Sequence, residues 1–195
     1  MPTLLLARHG ETDWNRDRRW QGHSDRPLNE TGRRQARDLA ARIEHEQLEG
    51  VYSSDSRRAR ETAEIVGARL GLPVKTDARL REVSFGEWEG LTSDQIARRY
   101  ADAFVRWEAG ERPLRPGIEP DEAMAERVLE ALREIAEEHP DGRVLVVTSG
   151  GPIRAAEAHL QGIEQGSARR LLRTMDNCGL VELAVRDGVF AEPAR

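Results

Sequence analysis

Apolar runs too short for a helix alternate along this chain with stretches whose apolar residues recur at helical spacing, and that alternation limits the fold most. Leu4–Ala7 is the first run, Val51-Tyr52 opens a second that ends at Ser53-Ser54-Asp55, and Leu72-Pro73-Val74 is a weaker third. Val144–Thr148 is the clearest, and Leu180–Val185 comes last. Helices are expected between them. Asn29-Glu30-Thr31-Gly32 opens one whose apolar stripe is Ala36, Leu39, Ala40 and Ile43. Another carries Ala59, Thr62, Ala63, Val66 and Leu70 and stops at Gly71. Thr92-Ser93-Asp94-Gln95 matches a capping box, and Ile96, Tyr100, Ala103, Phe104 and Trp107 follow at helical spacing. After a loop at Pro113–Gly117, Ala125, Val128, Leu129, Leu132 and Ala136 mark a long helix. Ser149-Gly150-Gly151-Pro152 turns the Val144 strand into a further helix. The pattern predicts an α/β fold, a mainly parallel sheet with helices on both faces. No repeat or linker divides the 195 residues, so one domain over 1–195 is expected.

Composition narrows the function. At 33% charged and 38% hydrophobic residues, a water-soluble globular chain is expected. The net charge of −5 speaks against nucleic acid or an anionic membrane surface as partner. No apolar stretch reaches the ~18 residues of a membrane span, and the first residues lack the regions of a secretory signal. Cys178 is the only cysteine, which excludes an internal disulfide and makes a cytoplasmic home the expectation. Zinc spacings such as CxxC or HExxH are absent.

Three strand ends carry polar residues of matching kind. The first ends at Arg8-His9-Gly10-Glu11-Thr12, with Trp14-Asn15 close behind. The second ends at Ser53-Ser54, with Arg57, Arg58 and Arg60 opening the next helix, and the late strand ends at Thr148-Ser149-Gly150-Gly151. Open α/β sheets place their ligand crevices at such ends. Arginine presents a fork to phosphate oxygens, histidine a nucleophile or proton carrier, and helix amino termini bind anions. A fourth segment, Leu80-Arg81-Glu82 to Glu89-Gly90, sets carboxylates among apolar groups, where a carboxyl can act as an acid near neutral pH.

These residues together resemble the histidine phosphatase superfamily, also called phosphoglycerate mutase-like. The resemblance rests on Arg8-His9-Gly10-Glu11-Thr12 with Trp14-Asn15, on Gln21-Gly22 and Asp25-Arg26-Pro27-Leu28, on Ser53-Ser54-Asp55 with Arg58-Ala59 and Thr62-Ala63, and on Leu80-Arg81-Glu82 with Phe85-Gly86 and Trp88-Glu89-Gly90. It implies a three-layer α/β/α sandwich and catalysis through a phosphohistidine, with no metal or other cofactor. His9 would be the nucleophile and Glu82 the proton donor. Arg8, Asn15, Gln21, Gly22, Arg58, Ser149 and Gly150 would line the phosphate site. The partner implied is a small phosphorylated metabolite, and a homodimer is left open. One position departs from the family, which carries a second histidine where this chain has Ser149. Serine is shorter and neutral, and losing one well-placed donor costs ~10²–10³ in rate, so a weakened phosphatase is expected.

Simpler roles are expected for the neighbours. Arg57 and Arg60 fit a solvated helix face, Glu87 and Glu89 a structural rim, and Glu11 an orienting contact. Trp14, Trp20, Trp88 and Trp107 fit packing, and Cys178 a small buried residue. His45 and His139 read as surface groups, His159 lies about two turns into its helix, and His23 is a candidate for a proton-dependent contact. The Arg-rich segments Arg16–Arg26 and Arg106–Arg115 lean towards a substrate with a second anionic group. Two other functions compete with hydrolysis. A mutase would need more than the short helix-like stretch between Gly90 and Pro113, and a phosphate-binding pseudoenzyme would have lost its chemistry with the second histidine.

Overall fold

The alternating pattern becomes a six-stranded sheet between two layers of helices, in a computed structural model that describes residues 1–111, 117–186 and 188–193. In chain order the elements are β1 (Thr3–Arg8), α1 (Asp13–Arg16), α2 (Glu30–Ile43), β2 (Gly50–Ser53), α3 (Arg57–Leu70) and β3 (Val74–Thr76). Two 3₁₀ turns, Ala78–Leu80 and Gly86–Trp88, lead to α4 (Ser93–Arg99), α5 (Ala101–Glu108) and α6 (Asp121–Glu138). Then come β4 (Arg143–Thr148), α7 (Gly150–Leu160), α8 (Gln165–Leu171), β5 (Leu180–Arg186) and β6 (Val189–Ala191). The sheet order is β3-β2-β4-β1-β5-β6. β3, β2, β4 and β1 run parallel, while β5 is antiparallel to β1 and β6 to β5.

Side chains on a strand alternate between faces, so each apolar run feeds two cores. Leu4, Leu6, Val144 and Val146 pack with α6 and α7; Leu5, Ala7, Leu145 and Val147 pack with α2 and α3. Runs buried on both faces are why β1 and β4 read as continuous apolar stretches. The expected stripe of α2 is buried as a set, and α3 stops at Gly71, which takes the left-handed conformation at φ 71°.

Two expectations are corrected. The third strand lies at Val74–Thr76, beyond Leu72-Pro73, because Pro73 has no N–H for a ladder. The helix expected from Ile96 to Trp107 is two helices that break at Tyr100, φ −137°. The break lets Ile96 and Phe104 pack together with the fully buried Trp88. α8 and β6 carried no pattern strong enough to be expected. The loop expected at Pro113–Gly117 lies, but for Gly117, outside the described residues.

Candidate active site

Parallel pairing brings the carboxyl ends of three strands together: Arg8 stands opposite Thr148, and Ser53 opposite Val147. A cavity of about 410 Å³ opens there, and Arg8, His9, Asn15, Gln21, Gly22, Arg58, Glu82 and Gly150 all line it. Eight of the nine residues expected in the site therefore share one cavity wall. Ser149 is the exception: it is buried, with Oγ 3.4 Å from Arg58 Nη2.

His9 is 3% exposed and fixed on every side. Its Nδ1 lies 2.7 Å from the Gly10 carbonyl oxygen, which can only accept, so Nδ1 carries the proton. Nε2 then keeps its lone pair, and Arg58 Nε donates to it at 3.1 Å. Burial, followed by the charges of Arg58 and Arg8, holds the imidazole well below its ordinary pKa. A neutral ring with Nε2 unprotonated is the form a nucleophile needs. The backbone is pinned as well: His9 N donates to Thr148 O at 2.9 Å, and Asn177 Nδ2 donates to His9 O at 2.8 Å.

Both arginines are buried enough to lower their pKa, although guanidinium stays charged. Arg58, in the first turn of α3, also donates to Ser24 O at 2.9 Å and Gly22 O at 2.8 Å, which ties the Gly22 loop over the site. Arg8 Nη1 donates to Met175 O at 2.6 Å, and its buried Nε finds no acceptor among the described residues. Such a donor is costly unless an acceptor arrives. The Thr12 hydroxyl lies 3.1 Å from Asn15 Oδ1 and 2.9 Å from Gln21 Oε1, and Asn15 Oδ1 also accepts from Thr12 N. The single hydroxyl proton can serve only one of the two amide oxygens at a time, and Asn15 Oδ1 keeps the Thr12 N–H in either case.

Glu82 sits against the amino end of α7. Val83 N donates to Oε1 at 2.8 Å and Gly151 N to Oε2 at 3.0 Å. Its segment follows the Ala78–Leu80 turn, and side chains take up the carbonyls of both. Leu80 O accepts from Thr148 Oγ1 at 2.5 Å, and Arg79 O, Arg81 O and Glu82 O accept from Arg127. His23 also points here: its Nε2 is 2.9 Å from Glu82 O, while its own N–H donates to Glu89 Oε1 at 2.8 Å.

The far wall is built by Trp20, Phe85, Trp107 and Met124, with an Arg169–Asp121 ion pair at 3.5 Å. The Arg169 guanidinium lies 4.4 Å from the Trp107 ring centroid. Of the arginines expected at the rim, Arg19 lines the cavity, Arg16 pairs with Asp13 and Asp17, and Arg106 pairs with Glu111. Arg112 and Arg115 lie outside the described residues. Arg57 and Arg60 pair along their own helix with Glu61 and Glu64, and Glu89 braces the Gly22 loop through His23 N and Ser24 Oγ. Cys178 is buried, and burial pushes its thiol up to about 12. His139 is not the surface group expected: its side chain is 15% exposed, and Tyr52 Oη lies 2.9 Å from its Nε2. The sequence reading missed Gly151, Asn177, Arg127 and Arg154 as site residues; Gly151 and Arg154 line the cavity. Arg127 and Arg154 sit inside ordinary helical spacing, which carries no sign of such a role.

This chain is similar to known proteins over most of its length. The model of the histidine phosphatase superfamily (branch 1) matches residues 4–192. A glucosyl-3-phosphoglycerate phosphatase from Mycolicibacterium vanbaalenii is 34% identical over 97% of this chain and 87% of its own length. A metal-independent phosphoserine phosphatase from Arabidopsis thaliana is 35% identical over 89% of this chain and 74% of its own. The solved structure of Bacillus stearothermophilus YhfR superposes with a TM-score of 0.89 at 36% identity, covering 97% of this chain and 94% of that one.

Proposed function

We propose, on the premise that this chain belongs to the histidine phosphatase superfamily (branch 1), that His9 takes the phosphoryl group of a small phosphorylated metabolite and water then releases it. That the chain is a phosphatase follows from the family and from its named relatives; the route is our reading. One observation carries it: a buried imidazole, held neutral as the Nδ1–H tautomer by the Gly10 carbonyl, against the buried Arg58 guanidinium and under the charge of the half-buried Arg8.

In the first step the Nε2 lone pair attacks phosphorus, the P–N bond forms and the ester P–O bond breaks. Glu82 gives its proton to the departing alkoxide, so an alcohol leaves. In the second, Glu82 as carboxylate takes a proton from water, the oxygen attacks phosphorus, and the P–N bond breaks to free phosphate and the neutral imidazole. Arg8, through its unpartnered Nε, and Arg58 stabilise the charge on the equatorial oxygens, with Asn15, Gln21 and the Gly22 and Gly150 backbone. Arg58 must trade its contact with Nε2 for the phosphoryl group. Neither step needs a metal or a cofactor.

Ser149 adds one neutral hydroxyl beside Arg58 where the family resemblance puts a second imidazole. The acids of the two named relatives, with Arg19 and Arg154 in the wall, support a substrate carrying a second anionic group. A single domain in the cytoplasm completes the reading; no helix among the described residues is long and apolar enough to cross a membrane.

Phosphate release from p-nitrophenyl phosphate tests it. His9→Ala should lose turnover and the acid-labile phosphoenzyme together, and normal rates in that variant would sink the mechanism. Ser149→His should raise the rate by ~10- to 10³-fold. If the wild type already turns over as fast, the hydroxyl is a working part of the site; if both are inert, the pocket serves binding alone. Isomerisation of 3-phosphoglycerate without phosphate release would indicate a mutase instead.

A further inference from the structure

Arg127 lies on α6 and is absent from the cavity wall, yet all five of its N–H groups are committed to the segment that carries Glu82 and to the acid that braces it. Nε and Nη2 each donate to one oxygen of Glu119 at 2.7 Å, a fork-to-fork pair. Nη1 donates to Arg79 O at 2.6 Å and to Arg81 O at 2.8 Å, and Nη2 donates to Glu82 O at 3.1 Å. With Thr148 on Leu80 O, four consecutive carbonyls are held by side chains. Glu119 is itself anchored to the same segment: its N donates to Ser84 O at 3.1 Å, and its Oε2 accepts from Ser84 N at 3.3 Å.

We propose that Arg127, braced by Glu119, is the positioning residue that holds the proton-transfer carboxyl of Glu82 over the reaction site; the proposal rests on the reading of Glu82 given above. The backbone at Arg81 and Glu82 lies in no strand or helix, so without Arg127 the Arg79 and Arg81 carbonyls would have to turn towards water, and the Glu82 carbonyl would be left with the exposed His23 Nε2 alone. Turning the Glu82 carbonyl rotates the backbone that aims the carboxyl. A misplacement of ~1 Å of a reacting group costs ~10²-fold in rate. Lysine cannot replace this geometry, because three donors on one atom do not span a carboxylate and three carbonyls.

A positioning role differs from a merely structural one in its dependence on the leaving group. An alkoxide is strongly basic and needs the proton from Glu82; p-nitrophenolate is weakly basic and does not. The measurement is kcat/KM for glycerol 3-phosphate and for p-nitrophenyl phosphate in the wild type, Arg127→Met, Arg127→Lys, Glu119→Gln and Glu82→Gln. Arg127→Met should lower the alkyl/aryl ratio of kcat/KM by ~10- to 10²-fold. Arg127→Lys should not rescue it, and Glu119→Gln should shift it the same way by less. Equal losses on both esters, or no loss, would overturn the proposal. Should Arg127→Met fail to fold, the ratio in Glu119→Gln decides. If Glu82→Gln leaves the ratio unchanged, the reading of Glu82 itself falls. If Glu82→Gln changes it and the Arg127 variants do not, only Arg127 is wrongly assigned.

Discussion

Gly151 has no side chain because Glu82 stands where one would be: a Cβ there would lie 2.0 Å from Glu82 Oε1. The same glycine gives its amide proton to Oε2, so one backbone both admits the carboxylate and holds it. Gly151→Ala should push Glu82 out of line and lower kcat/KM for an alkyl phosphate by at least ~10-fold. Steady-state assay of that variant checks it, and retained activity would mean that the Gly151 contact does not set the Glu82 position. The sequence showed Gly150 and Gly151 as a pair but offered no reason to prefer the second, since the reason is a side chain 69 residues away. Gly22 was legible for its motif, and the structure adds why a glycine serves: φ is +51°, and its carbonyl accepts from Arg58. Ser149 was read from the family resemblance as standing in a histidine's place. Its burial under Arg58, off the cavity wall, was not.

Elements followed the sequence where one local cause sufficed. The capping box at Thr92 forms as read, with Gln95 N donating to Thr92 Oγ1 and Gln95 Oε1 accepting from Thr92 N. α3 ends where Gly71 permits a left-handed residue, and nothing lies within 4 Å of the place a Cβ would occupy there. Gly71→Ala should therefore cost only the backbone term, about 1–2 kcal/mol. Urea denaturation should show that loss while kcat stays within twofold, because Arg58 sits at the opposite end of the helix. A loss of much more would mean that the end of α3 does other work. Elements departed from the sequence where distant packing decided. The break at Tyr100 places Phe104 and Trp107 in a stack, with centroids 5.8 Å apart, beside Trp88. Helical periodicity is satisfied equally by one helix or two, so the spacing from Ile96 to Trp107 held no trace of it.

Across the whole molecule, burying a neutral histidine links folding to pH. His9 titrates near 6.5 in an unfolded chain and well below that when folded. Between those values the unfolded chain holds the proton and the folded chain does not. Stability is therefore fully present above about pH 6.5 and declines as pH falls towards the folded value, by at most about 1.4 kcal/mol per pH unit. Urea midpoints from pH 7.5 to 5 should fall less steeply for His9→Gln than for the wild type, and parallel curves would contradict the buried neutral state. The sequence by itself determined the class of fold, the strands that end in chemistry and eight of the residues that meet at the cavity. These are local matters: apolar period, capping and turn residues, and a motif compact enough to read from neighbours. Only the tertiary structure decided the order β3-β2-β4-β1-β5-β6, the antiparallel return of β5 and β6, the protonation state of His9 and the Arg127 clamp behind Glu82. Each of these depends on which distant groups exclude water together, and burial is a property of the assembled core that no window of sequence contains.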